Sequence, residues 1–416
     1  MKRYWLVLYP DTFLWLKNSL GIIYNSKNYK HFTFICRDKL KKLCKTLIDL
    51  NSLYSVELTE KLLCQQNIKE WVKKIIQIDA GEIIEQDKQE KKLVSYFPTL
   101  TIQNNIDHIQ WKDGLNMGGE IIKNLEELIF YINGSSNGSK HLYKQLHYPL
   151  QTALSVNFEL VDTFIKKCKN AQLNKITFIG DLCRYHDLDK LQKWVHSNNY
   201  FLHFILLPDD IVPNIEKFKW LFREKTDISI IANDYTSLPN QFDLFRENSD
   251  MIKWLFPVTS VVQFEWIDSF IRERTVKEYE IVPVFDGSNL PFFEANVYTS
   301  QEDFNEISLS RREVFINMTL NVNHFGKLTI LPDKKVYASV NENPLGNIKA
   351  TIYDILFKEM TKGHSWLKVR NKRPCNKCVY QWLCPSPGNY EKVIGKPNLC
   401  HINQSREDIS ATIVNS

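Results

Sequence analysis

The chain is poor in glycine and proline, with 14 and 15 among 416 residues, which excludes a collagen-like, low-complexity or disordered polymer. It has no run of about 18 consecutive apolar residues, so no segment has the hydropathy of a transmembrane helix. Neither sign of charge prevails. Lys and Arg number 53 against 48 Asp and Glu, a net of +5 spread along the chain, and this gives no electrostatic footprint for nucleic acid. Met1-Lys2-Arg3 opens like a signal peptide. The apolar run that follows breaks at Pro10-Asp11 with no small-residue cleavage site, so a cytoplasmic location is expected, with neither membrane nor nucleic acid as partner. One absence is local: no cysteine lies between Cys64 and Cys168.

What is present is a globular composition, 44% hydrophobic with 24 Phe, 18 Tyr and 10 Trp. The length suggests two or three domains at roughly 150 residues each. The nine cysteines form two populations. Cys36, Cys44, Cys64, Cys168 and Cys183 stand singly among apolar positions and read as small buried hydrophobes. Cys375, Cys378, Cys384 and Cys400 read Cys-x2-Cys-x5-Cys-x15-Cys in a segment rich in Pro, Gly and Asn. Four soft ligands at this spacing in a reducing compartment point to zinc or an iron–sulfur cluster more than to disulfides. A structural zinc clamp and a redox centre are both open on spacing alone.

Residues 1–90 form one unit by pattern. Strands are expected at 3–9, 12–17, 21–25 and 31–36. A helix carries Leu40, Leu43, Leu47 and Leu50, a second is capped by Ser55, and a third shows Ile68, Val72 and Ile75 on one face. The charged run 85–92 reads as a solvated linker. The middle, 93–315, alternates strand and helix. Apolar runs at 128–132, 176–179, 201–206, 228–232, 252–256 and 281–285 recur, after the first, about every 26 residues, the rhythm of βα units with parallel strands. Six such units make a partial barrel, whose ligands are expected at the carboxyl ends of the strands. In 316–416 a hairpin, 327–331 and 336–340 around Pro332-Asp333-Lys334, precedes a helix at 352–360 and the four cysteines.

The hairpin, Leu345-Gly346-Asn347-Ile348, the helix and Cys-x2-Cys-x5-Cys together resemble the SPASM domain that follows many radical SAM enzymes. The six βα units resemble the partial (β/α)6 barrel of that superfamily, and residues 1–90 resemble the PqqD-like winged-helix peptide-recognition domain of peptide-maturation enzymes. The resemblance implies an α/β fold in three parts: recognition domain, radical-SAM-like barrel and C-terminal metal-binding domain. Three departures shape the functional expectation. The loop after the first barrel strand, where the family has Cys-x3-Cys-x2-Cys, reads Asn133-Gly134-Ser135-Ser136-Asn137-Gly138-Ser139-Lys140-His141-Leu142-Tyr143, with Ser136, Lys140 and Tyr143 near the cysteine positions. Hydroxyls and an ammonium do not replace thiolates on iron, so SAM cleavage and SAM binding are not expected. The family's Gly-Gly-Glu is reduced to Gly180-Asp181. Of the seven SPASM cysteines three are missing, at Asn323 or His324, Ser339 and Gly388, which leaves half a domain with one four-cysteine site for a [4Fe-4S] cluster or Zn2+.

The stretch 378–390 is similar to the pseudo-radical-SAM proteins of Bacteroidales that accompany peptide-modification systems. The resemblance implies a non-catalytic accessory protein of ribosomal-peptide maturation. Such a protein binds a precursor or leader peptide along 31–35 and the helix at 39–50, with Phe32, Phe34 and Leu43 as candidate pocket residues, although each reads first as a core position because one face of its element must be buried. A true radical SAM enzyme, or another peptide-modifying enzyme, is an expected partner, with Ser136, Lys140, Tyr143 and Asp181 as remnants of a vestigial barrel site. Two other readings stay open. One is an iron–sulfur redox protein or enzyme acting through the single centre without SAM. The other, for 1–90, is a DNA-binding helix-turn-helix carrying Lys39, Lys41, Lys42 and Lys45, although charges opposite a Leu face are ordinarily solvated.

Overall fold

A computed structural model describes residues 2–86, 93–98 and 121–402. Strands β1 (Arg3–Leu8), β2 (Thr12–Lys17), β3 (Leu20–Asn25) and β4 (His31–Ile35) appear where the alternation puts them. Strands β2, β3 and β4 form an antiparallel meander. Helix α1 (Asp38–Ile48) buries Leu40, Leu43, Cys44 and Leu47 at the i, i+3, i+4, i+7 spacing of a single stripe. Ser55 does not cap a helix as expected. Ser55–Thr59 is strand β5, whose buried Val56 and Leu58 alternate with half-exposed Glu57 and Thr59, a period of two that fits a pleat and not a helical stripe. Thr59 is the cap instead, its Oγ1 accepting from the Leu62 amide at the start of α2 (Glu60–Leu63). Helix α3 (Gln66–Gln77) presents Ile68, Trp71, Val72 and Ile75 to the core, and β6 (Gly81–Glu85) completes a second sheet in the order β5-β1-β6. Of the expected linker 85–92, Glu85 ends β6 and 87–92 lies outside the described residues.

The second and larger body is a nine-stranded sheet, mostly parallel. It contains β7 (Glu127–Tyr131), β8 (Lys175–Ile179), β9 (Phe201–Leu206), β10 (Thr226–Ile231), β11 (Ile252–Val258) and β12 (Tyr279–Pro283), all mutually parallel in sequence order. Helices α4 (Phe158–Lys167), α5 (Leu188–Ser197), α6 (Leu238–Leu244), α7 (Val261–Arg274) and α8 (Leu290–Asn296) serve five of the units. The crossover from β9 to β10 departs from the rhythm. It runs through tight 3-10 turns, Pro208–Asp210 and Val212–Leu221, each with proline in its first turn, where the missing amide and fixed φ suit a turn better than a helix interior.

Short helices α9 (Gln301–Asn305) and α10 (Arg311–Thr319), both opened by serine capping boxes, lead to the hairpin. Its strands β13 (Lys327–Ile330), β14 (Lys335–Tyr337) and β15 (Gly346–Asn347) extend the barrel sheet itself. Strand β13 lies parallel to β7, pairing Leu328 with Leu128, so the sheet crosses the expected 315/316 boundary. Helix α11 (Ile352–Lys358) precedes the cysteine segment, and α12 (Asn389–Ile394) lies within it, between Cys384 and Cys400. A continuous apolar core fills the space between sheet and helices, from Leu128, Phe130 and Phe178 to Trp254 and Trp366. Among the described residues no helix is long and apolar enough to cross a membrane.

Candidate functional site

Three places carry chemistry: the carboxyl ends of the barrel strands, the four cysteines, and the interior of the barrel. At the carboxyl ends the loop 132–157 folds back into the barrel mouth. Its Tyr148 and Leu150 are buried against Tyr131, Ile179, Ile205 and Ile231, with Leu142, Tyr143 and Leu146 packed around them. The residues expected to line a vestigial site are not gathered. Ser136 and Lys140 are exposed, and Tyr143 turns inward to meet Tyr131 edge-on at 6.4 Å. Asp181 is buried and caps the turn after β8, accepting from the Arg184 amide at 3.0 Å. Among the described residues no hydrogen bond or ion pair joins these four.

The mouth instead holds a polar network that sequence reasoning missed. Asn133 clamps Asp181 reciprocally: its Nδ2 donates to the Asp181 carbonyl at 2.8 Å and its Oδ1 accepts the Asp181 amide at 2.9 Å. Ser135 Oγ donates to Asp210 Oδ1 at 2.8 Å, while Asp210 Oδ2, buried, has no partner among the described residues. Burial, with the carboxylates of Asp181 and Asp209 adding, pushes the Asp210 carboxyl up to about 7 against the Ser135 hydrogen bond. Asn137 Nδ2 and Gln241 Nε2 both donate to Asp209.

The cysteine segment is held from several sides. Cys375 opens a 3-10 turn and its carbonyl accepts the Cys378 amide at 3.0 Å. Cys384 follows a turn closed on the Tyr380 carbonyl, and Cys400 is pinned by a parallel bridge to Thr299. Arg370 Nη1 points at Cys375 Sγ from 3.9 Å, and its other arm forms a largely buried ion pair with Glu391 at 2.8 Å. Asn398 Nδ2 donates to Cys400 Sγ at 3.0 Å. Burial raises the Cys375 thiol, raises Cys378 to about 11 and raises Cys384 further, and the neighbouring cysteines add to each shift. The four therefore lie within electrostatic reach of one another, and a cation among them would reverse those shifts. Among the described residues no three His, Cys, Asp or Glu side chains are set as a finished metal cage. The donor set fits a thiophilic metal or an iron–sulfur cluster by its chemistry, and the amide and guanidinium donors at two sulfurs are the kind that tune such a centre. Of the departures, Asn323 Nδ2 donates to the Ser386 carbonyl beside Gly388, and His324 and Ser339 line a cavity of about 400 Å3 that reaches Cys375.

The expected peptide edge is an outer strand. Strand β4 pairs with β3 and, among the described residues, with no other strand. Phe32 and Phe34 are half-buried on the helical face, Phe34 against Trp71 and Phe32 beneath Lys74 Nζ, while Leu43 is buried in the same core. The opposite face of the meander, Phe13, Ile22 and Tyr24, packs on Val379, Tyr380 and Leu383 of the cysteine segment.

The polar residues that line the barrel interior were also missed. Below the plugged mouth the lumen is open, a cavity of about 880 Å3 reaching the amino ends of β9 to β12. Its wall carries polar strand residues, Lys175 on β8, His203 on β9, and Asp227 and Ser229 two apart on β10, and Thr177, two residues on from Lys175, donates to Glu127 of β7. A parallel strand covered on both faces reads as solid apolar, so this alternation was the available signal.

No family model and no curated protein matches the chain. Its structure is similar to the crystal structure of Streptococcus suis SuiB bound to precursor peptide SuiA, with 13% identity and a TM-score of 0.40 over 96% of this chain and 99% of that chain.

Proposed function

We propose that the chain is a non-catalytic protein of ribosomal-peptide maturation that binds a precursor or leader peptide and does not cleave SAM. The observation that carries this reading is the first barrel loop. It supplies no thiol where a SAM-cleaving cluster needs three, and it uses Tyr148 and Leu150 to fill the mouth where a cofactor would sit. An enzyme that kept its cofactor would keep that space. The peptide adds to the outer edge of β4, its main chain pairing with His31–Ile35 beside α1. The recognition domain spans 1–90, the barrel 93–315 and the half-SPASM part 316–416. A true radical SAM enzyme is the expected partner.

The test is titration of the full chain with a leader peptide while following backbone amide resonances and binding heat. Shifts confined to 31–35 and the facing side of α1 are expected. If neither shifts nor heat appear at saturating concentrations, the recognition role is lost.

A second reading has its own support. The donors on Cys375 and Cys400 Sγ favour a four-thiolate iron–sulfur centre that passes electrons without SAM. Redox silence of protein purified without oxygen would remove it.

A further inference from the structure

The barrel lumen collects basic groups on one wall. Lys175 begins β8, Lys327 begins β13, and both flank Glu127 in the sheet register. Lys327 Nζ lies 3.9 Å from Glu127 Oε2, and Lys253 on the far wall is neutralised by Glu280 at 2.6 Å. Lys175 Nζ and the rings of His147 and His324 make no hydrogen bond or ion pair among the described residues. His147 has accessible surface and lines the open cavity. His203 Nε2 meets Ser229 Oγ at 2.8 Å. Burial lowers all three histidines, His203 to about 3 and His324 to about 4. Lysines add to each shift: Lys175 at His147 and His203, Lys327 at His147 and His324. Glu127 opposes the lysines at His147 and Glu342 opposes them at His324, so what marks this wall is its geometry: two lysines flank the one carboxylate, Glu127, and Lys175 is left without a paired carboxylate among the described residues. Three lining carboxylates have no ion pair among the described residues, and all stand away from this wall: Asp227 on β10 two strands from β8, Glu224 just before β10, and Glu278 just before β12.

We infer that the lumen is a binding site for a carboxylate-bearing ligand, held by Lys175 and His147 with Lys327 and His324 beside them. The carboxylate comes from a free small dicarboxylate or from an acidic side chain of a peptide. Volumes of several hundred Å3 suit either, and Ile129, Ile205 and Leu255 in the same lining accommodate the carbon skeleton. The site borders both neighbours, since Tyr143 and Leu146 of the mouth loop line the same cavity and His324 also lines the smaller one that reaches Cys375, but none of the groups assigned to hold the ligand is one of the four cysteines.

The experiment uses the full chain with three probes: succinate, an acetylated and amidated Gly-Glu-Gly tripeptide, and its Gly-Gln-Gly counterpart. Binding is read by calorimetry and by the histidine ring resonances. Succinate or the Glu peptide should shift the signals of His147 and His203, the Gln peptide should not, and the tighter of the first two identifies the source. Lys175→Gln should weaken binding about tenfold or more, as loss of a charged hydrogen bond does, and Lys175→Arg should retain it. Lys327→Gln serves the same purpose if Lys175→Gln does not fold. No shift with either carboxylate, or equal affinity for the Gln peptide or for a folded Lys→Gln variant, overturns the inference.

Discussion

At the scale of single residues, the network at the barrel mouth depends on one backbone geometry. Gly180 sits at φ 147°, and a Cβ there would lie 2.2 Å from Asn133 Oδ1, the atom that accepts the Asp181 amide. Gly180→Ala should therefore break the clamp and lower stability by about 2 kcal/mol or more, from left-handed strain and a lost buried hydrogen bond together, as read by urea denaturation. Asp210 makes the opposite prediction. Its folded value, about 7, is above its ordinary value of 3.8. The folded state thus binds more protons between those values, and stability falls as pH rises from about 4 to 7. Asp210→Asn keeps an acceptor for Ser135 and carries no charge. It should melt with wild type near pH 4 and exceed it by on the order of 2 to 4 kcal/mol at pH 8. Equal pH profiles would show that the carboxyl is not held neutral.

At the scale of elements, the six parallel strands were legible because each is an apolar run and those after the first recur at even spacing, as in 176–179 and 228–232. Helix α1 was legible from its leucine stripe. Ser55 was misread because a cap and the first residue of a strand look alike until the alternation of Val56 and Leu58 is counted. The cysteine segment was readable by spacing. The plug was not, since Tyr148 and Leu150 carry no period of their own and are buried only because the loop returns to the sheet. Leu150→Ala should cost about 2 to 4 kcal/mol, the transfer term plus a cavity, and should bring the Tyr131 ring into contact with solvent quencher. An unchanged midpoint would mean that the mouth is not packed as described.

At the scale of the whole molecule, the meander β2–β4 and the cysteine segment share one apolar cluster, in which Tyr380 packs on Phe304 with ring centroids 4.3 Å apart and Tyr24 Oη hydrogen-bonds both backbone groups of Leu309. Loss of the thiol centre should thus be felt far from it. In protein purified without oxygen, Cys375→Ala/Cys378→Ala should lose the iron and sulfide, or the zinc, measured in wild type. It should also lose hydrogen-exchange protection in β3, whose Ile22 and Tyr24 face the cluster. Protection unchanged in β3 would separate the two parts. Metal content decides the remaining chemistry: about four irons and four sulfides per chain keep a redox role, and one zinc makes the site a clamp.

The position of β13 beside β7 has a consequence for how the chain is made. Leu128 and Leu328 are sheet neighbours separated by two hundred residues of synthesis. Until β13 leaves the ribosome, β7 is an edge strand with Ile129 and Phe130 beside unpaired amides, the surface that templates association with another chain. A nascent chain that has reached only residue 315 carries all six βα units with that edge bare, so the barrel matures late and as one piece with the segment that follows it.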